Sequence, residues 1–302
     1  MVKRILTAVV ALAVFLPILL FAPYWAVAAV FGLMAGVAVY EIAGCVGLRR
    51  EWWLTVVTMV LCAVYIAVPN ACRDWYATTA HNRDVTEAAK TLANNLTAAV
   101  PAVCRTLLVL VYLVAAVLRH GKLTTDRLML QFGMSIYVTL GFDSLSRLAG
   151  LTVLNDRNLV VHNSMWLWVA LCIPWAADTL AYFTGFLLGK QKLCPEISPK
   201  KTVEGAVGGV LGTGVAALAV FGCVEGWNAP PAVLVGVPFA AMLLAVVSIF
   251  GDLFASVLKR QFGVKDYGSL FPGHGGIMDR FDSTIPVAIV LYLLVQTSPL
   301  IG

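Results

Sequence analysis

Charge is scarce in this chain. Of its 302 residues only 12% are charged and 60% are hydrophobic, and the mean hydropathy is +0.88. A soluble domain carries about twice that charged share, so a water-soluble globular fold is excluded. Cysteine is present, seven times, but with no C-x-x-C pair, which leaves neither a zinc site nor a disulfide framework. Most of these cysteines lie inside apolar runs, where the thiol acts as a small hydrophobe. No basic stretch interleaved with aromatics exists, so the net charge of +5 does not point to nucleic acid. Internal repeats and low-complexity segments are lacking too, which speaks against a transporter built from repeats. The glycine spacing of a Walker A loop is absent.

What remains is long apolar runs. In lipid the backbone is satisfied only by helices or closed barrels. These runs are too long and uniform for the alternating strands of a barrel. The sequence therefore predicts an all-α polytopic membrane protein, a bundle of about nine transmembrane helices. The spans fall at roughly residues 5–22, 24–47, 52–69, 97–118, 128–149, 164–188, 204–224, 231–257 and 283–301. The first run follows Met-Val-Lys-Arg and is read as an uncleaved helix, because a second spanning run follows at once. Residues 70–96 form the only long polar stretch on their side. A division into N-terminal helices (1–120) and a C-terminal catalytic region (121–302), with loops 189–203 and 259–282, follows from where the polar residues lie.

Orientation comes from the cations. With a cytoplasmic N-terminus, fifteen Lys and Arg fall inside, including Lys3, Arg49, Arg119, Lys200 and Lys259. Five fall outside (Arg73, Arg83, Lys90, Arg147, Arg157), and Arg105 sits within a span. By the positive-inside rule both charged, glycine- and proline-punctuated loops face the cytoplasm.

Those loops adjoin spans that carry acids, Asp178 and Asp252, and an ionisable residue within a span is a functional candidate. Asp178, Tyr182, Gly185 and Gly189 make one helical stripe, whose glycines suit close helix packing. The loop Ser198-Pro-Lys200-Lys201-Thr202-Val-Glu204-Gly205 combines cations, hydroxyls and glycines where the next helix begins. Thr202 or Ser198 can cap that helix, and the set suits a polyphosphate. In the eighth span Ser248, Asp252, Ser256 and Lys259 recur along one stripe. Asp279 and Asp282 would share a helix face if the ninth span begins there. Carboxylates from different elements among lysines and arginines describe a metal–phosphate site, since Mg²⁺ typically takes one or two carboxylates plus substrate phosphates. His274 lies in Pro-Gly-His-Gly-Gly, which is no regular helix; a direct chemical role and a structural one stay open for it.

Ser256, Lys259, Arg260, Lys265, Asp266, Gly268, Pro272, His274, Gly275, Gly276, Asp279, Arg280 and Asp282 together resemble the signature of the phosphatidate cytidylyltransferase (CDP-diacylglycerol synthase) family, with its spacing kept. Asp178-x-x-Ala-Tyr182, the 198–205 loop and Gly251-Asp252-Leu253 look like the same family. Two departures are Ala255, where many members carry an acid, and Tyr267, where a small residue is common. The resemblance implies CTP plus phosphatidate giving CDP-diacylglycerol plus pyrophosphate at a bacterial-type inner membrane. It also implies Mg²⁺ held by Asp252 and Asp279, with a second metal or a monovalent cation left open, and a homodimer. Lys259, Arg280 and His274 join those acids as catalytic candidates. Asp178, Tyr182, Ser198, Lys200, Lys201, Thr202, Glu204, Ser256, Arg260, Lys265, Asp266 and Asp282 are the substrate-binding candidates. Two other readings share features: a CTP-dependent polyprenol kinase, and a transporter with Asp143, Asp178 and Asp252 along a pathway. A CDP-alcohol phosphotransferase is disfavoured, because its Asp-Gly-x-x-Ala-Arg array is absent.

Overall fold

The computed structural model describes residues 2–79, 85–154, 160–162, 165–224, 226–273 and 275–297. Among these residues ten helices and two small hairpins follow one another. They are α1 (Val2–Phe21), α2 (Tyr24–Cys45), α3 (Trp52–Thr79), α4 (Glu87–Leu118), α5 (Thr125–Ala149), β1 (Thr152–Leu154), β2 (Val160–His162) and α6 (Met165–Leu188). Then come β3 (Lys192–Cys194), β4 (Ser198–Thr202), α7 (Val203–Val224), α8 (Pro231–Gln261), α9 (Met278–Phe281) and α10 (Thr284–Thr297). Both hairpins are antiparallel. Among the described residues seven helices are long and apolar enough to cross a membrane, α2 to α8, and two shorter apolar stretches lie at Val9–Phe21 and Thr284–Thr297. The protein is a helical, multi-pass membrane protein.

The chain forms two compact units, one of residues 1–167 with 264–280, the other of 168–263 with 281–302. In the first, Pro23 stops α1 and opens α2, since proline cannot continue one helix yet suits the start of the next. The buried face of α2 includes Phe31, Ala35, Ala38, Val39 and Ile42. A Cβ at Gly32 would lie 2.8 Å from the Ala63 carbonyl oxygen, so α2 meets α3 nearly backbone to backbone. Thr86 caps α4, its Oγ1 accepting from the Ala89 amide at 3.4 Å.

The polar stretch expected at 70–96 is largely helical, because α3 runs on to Thr79 and α4 begins at Glu87. Asn70, 0% exposed, explains part of this. Its Nδ2 donates to the Ile66 carbonyl at 2.8 Å and to Asp143 Oδ1 at 3.0 Å, while its Oδ1 accepts from Tyr24 Oη at 3.0 Å. Arg147 Nε donates to Asp143 Oδ2 at 2.7 Å. Asp143 is thus part of a polar knot joining α2, α3 and α5.

In the second unit α6 and α7 cross on small residues. A Cβ at Gly209 would lie 2.8 Å from the Ala177 carbonyl oxygen, and one at Gly205 2.8 Å from that of Ala181. At Gly251 a Cβ would press on Pro286 and would lie 2.8 Å from the Asp282 carbonyl oxygen, which brings α8 against the start of α10.

Candidate active-site residues

The second unit gathers most of the candidates around the β3–β4 hairpin. Thr202 ends β4 and caps α7, its Oγ1 accepting from the Gly205 amide at 3.1 Å. The expected cap is therefore formed, and it leaves the preceding residue, Lys201, pointing to α8. Lys201 Nζ lies 2.5 Å from Asp252 Oδ2, with the two side chains 25% and 28% exposed. The ammonium nitrogen itself is buried, so the pair meets at its sheltered end. Asp178, from α6, is close enough for the charges of Lys201 and Asp252 to act on it. Two acids and one cation from three elements thus share a neighbourhood.

Other predicted residues build the frame of this cluster. The Glu204 carboxylate accepts from the Lys190 amide at 3.0 Å and the Gln191 amide at 3.2 Å, closing the base of the hairpin. Arg260 Nε donates to the Ile197 carbonyl at 3.5 Å, tying the end of α8 to the hairpin turn. Lys259 Nζ faces Asp282 Oδ2 at 3.8 Å, both nearly buried. Ser256 and Ser198 are half-buried, and Lys200 is exposed on β4. Tyr182 is 67% exposed, its ring against Phe183 and Phe186.

In the first unit residues 264–280 form a loop closed on itself. Asp279 Oδ2 accepts from the amides of Tyr267 at 2.8 Å, Gly276 at 2.9 Å and Gly268 at 3.4 Å. Gly273 and Gly275 have φ of 80° and 83°, backbone that only glycine adopts without strain. Lys265, Asp266 and Arg280 are exposed. His274 lies outside the described residues. Asp279 and Asp282 do not ride one helix: α9 ends at Phe281, and α10 starts at Thr284 after a turn in which Asp282 Oδ1 accepts from the Ser283 amide at 2.9 Å.

One residue is missing from the candidates that the sequence suggests. Glu41, on α2, is 3% exposed, and its two oxygens accept from the amides of Ile277 at 3.0 Å and Met278 at 2.9 Å. A signal for it exists, since Glu41 is the one acid in the apolar 22-residue run of α2.

The donor set suits a hard cation. Asp178 and Asp252 offer carboxylate oxygens, and a cation, the Lys201 ammonium, already stands beside Asp252. No group of three or more His, Cys, Asp or Glu able to hold a metal occurs among the described residues. A metal here would complete its shell with oxygens from substrate or water, as Mg²⁺ commonly does.

The sequence model of the cytidylyltransferase family matches residues 2–298, nearly the whole chain. The chain belongs to that family. Among similar proteins, the phosphatidate cytidylyltransferase of Brucella abortus (strain 2308) is 46% identical over 124 residues, 40% of this chain and 43% of the relative. That of Bacillus subtilis (strain 168) is 44% identical over 138 residues, 46% of this chain and 50% of the relative. That of Staphylococcus aureus (strain COL) is 44% identical over 129 residues, 43% and 48% of the two chains. The chain thus spans about half the length of the curated relatives it matches.

Proposed function

We propose that this protein is a phosphatidate cytidylyltransferase, a membrane nucleotidyltransferase of phospholipid biosynthesis. The observation that carries the reading is the Lys201–Asp252 ion pair with Asp178 within reach of its charges: a buried ammonium beside two acids, at the base of a basic hairpin. Such a group is suited to a triphosphate with a bound cation. The names of the relatives, and the signature resemblance over residues 256–282, support CTP and phosphatidate as the substrates.

The chemistry asks little of a side-chain nucleophile. An oxygen of the phosphatidate phosphate attacks the α-phosphorus of CTP, a new P–O bond forms, and the bond to the β-phosphate oxygen breaks, releasing pyrophosphate. Both reactants are anions, so the protein must align them and offset charge on the leaving group. Lys201 supplies an ammonium, shared with Asp252, to the phosphate oxygens. Asp252 and Asp178 would hold Mg²⁺ in this unit, and Asp279 is assigned the same role on the resemblance. Bound there, Mg²⁺ would offset phosphate charge as a Lewis acid. Lys200, Lys259, Arg260, Lys265 and Arg280 are assigned to the remaining phosphate charge, and Ser198, Thr202, Glu204, Ser256, Asp266 and Asp282 to the frame of the nucleotide site.

The same reading makes α1 and α10 spans, giving nine in all, with the N-terminus and both polar loops at the cytoplasmic face of an inner membrane. Lipid tails then stay in the bilayer while the head group meets CTP at its edge. A catalytic C-terminal region after residue 120 and a homodimer complete the proposal.

Purified protein given Mg²⁺, CTP labelled at the α-phosphate and phosphatidate should form labelled CDP-diacylglycerol and release pyrophosphate. With γ-labelled CTP, label appearing instead in a phosphorylated polyprenol would reject the assignment in favour of a kinase.

A further inference from the structure

Two carboxylates, 238 positions apart in the chain, hold one loop of the first unit. Asp279 Oδ2 gathers the amides of Tyr267, Gly268 and Gly276 from within the loop. Glu41 gathers the next two, Ile277 and Met278, from outside it. Both Glu41 oxygens act as acceptors, one for each amide. The side chain sits in a stretch of α2 whose Ala38, Val39, Ile42 and Ala43 are almost fully buried. Gln131 Nε2 donates to the Val39 carbonyl at 3.1 Å, which fastens that stretch to α5. Gly268 and Gly276 press so closely on the Glu41 carboxyl that a Cβ on either would overlap it. Arg49 and Asp279 are both within electrostatic reach of Glu41.

An acid in an apolar helix is costly unless it is paired, and here its partners are backbone amides of the signature loop. A rigid helix holds a site more accurately than a loop holds itself. We propose that Glu41 is the positioning residue of the 264–280 loop, clamping the Ile277 and Met278 amides so that Asp279 and Arg280 are presented in one fixed geometry. The value of that geometry for cytidylyl transfer rests on the function proposed above; the clamp itself does not.

Glutamine at this position keeps one acceptor oxygen and turns an NH₂ donor toward the second amide. Hydrogen–deuterium exchange on full-length protein in detergent, without Mg²⁺ or nucleotide, tests the clamp directly. In Glu41→Gln the peptide covering residues 277–278 should exchange at least about tenfold faster than in the wild type, as expected on losing a charge-assisted hydrogen bond. Gly209→Ala, a packing change in the other unit, should leave that peptide at the wild-type rate. Should Glu41→Gln fail to fold, Gly276→Ala carries the same test, because its Cβ displaces the loop from an intact carboxylate. In the assay, Glu41→Gln should raise the Mg²⁺ concentration for half-maximal activity about tenfold, with turnover largely restored at saturating Mg²⁺. Wild-type exchange at 277–278 in the folded variant would overturn the clamp and leave the enzyme assignment standing. A wild-type protein that transfers no cytidylyl group, yet loosens at 277–278 in Glu41→Gln, would overturn only the assignment.

Discussion

Lys201 and Lys200 are neighbours in sequence with opposite surroundings, and that contrast makes a test. Lys200 is exposed on β4, whereas the Lys201 ammonium is buried and paired with Asp252. A cation out of water interacts far more strongly with an incoming phosphate than one in water does. Lys201→Met should therefore lower kcat/KM for CTP by about a hundredfold or more, the scale seen when one preorganised charge-stabilising donor is removed. Lys200→Met should cost less than about tenfold. Asp252→Asn should abolish turnover while leaving the protein folded in detergent, because asparagine keeps an oxygen for the Lys201 ammonium. Equal effects at the two lysines would show that the basic hairpin acts as a diffuse field and not through Lys201.

At the level of elements, helix contacts in the second unit depend on missing side chains. Gly209 has no room for a methyl group against the α6 backbone at Ala177, while Gly236 on α8 has nothing within 4 Å of the place a Cβ would take. Gly209→Ala should therefore destabilise by about 1–3 kcal/mol, since backbone cannot step aside as a side chain can. Gly236→Ala should be neutral or stabilising by up to about 1 kcal/mol. Thermal melts in one detergent compare the two directly. Elements of this kind are largely legible in the amino-acid sequence. Apolar run length locates α2, α5, α7 and α8 to within a few residues, and the hydroxyls of Ser198 and Thr202 ahead of an apolar run mark where a cap falls, though not which of the two forms it. The extension of α3 through Pro69 to Thr79 is not legible, because the burial of Asn70 depends on Tyr24 and Asp143, far away in the chain. The same limit hides Glu41. Its residue type is visible, but its partners lie more than 230 positions downstream, and no local pattern reports such a pairing. The signature loop is readable as a string of residue types, whereas the commitment of Asp279 Oδ2 to three amides is not.

For the whole molecule the proposed orientation is an electrostatic statement, and it can be checked without the enzyme assay. Fifteen cations against five, with the N-terminus inside, would place the α4–α5 turn and the β3–β4 hairpin in the cytoplasm and the α7–α8 turn outside. Lys122, Glu196 and Asn228 are exposed in those three segments, so each can take a cysteine with little effect on packing. On a background with the seven native cysteines replaced, Asn228→Cys should react with a membrane-impermeant maleimide on intact cells. Lys122→Cys and Glu196→Cys should react only after permeabilisation. The reverse pattern would put the basic hairpin, and Lys201 with it, on the side of the membrane where cytoplasmic CTP is absent. No rearrangement of side chains could then rescue the proposed reaction, because a triphosphate does not cross the bilayer unaided. Orientation is thus the condition on which every residue-level role assigned to Lys201, Asp252 and Asp279 depends.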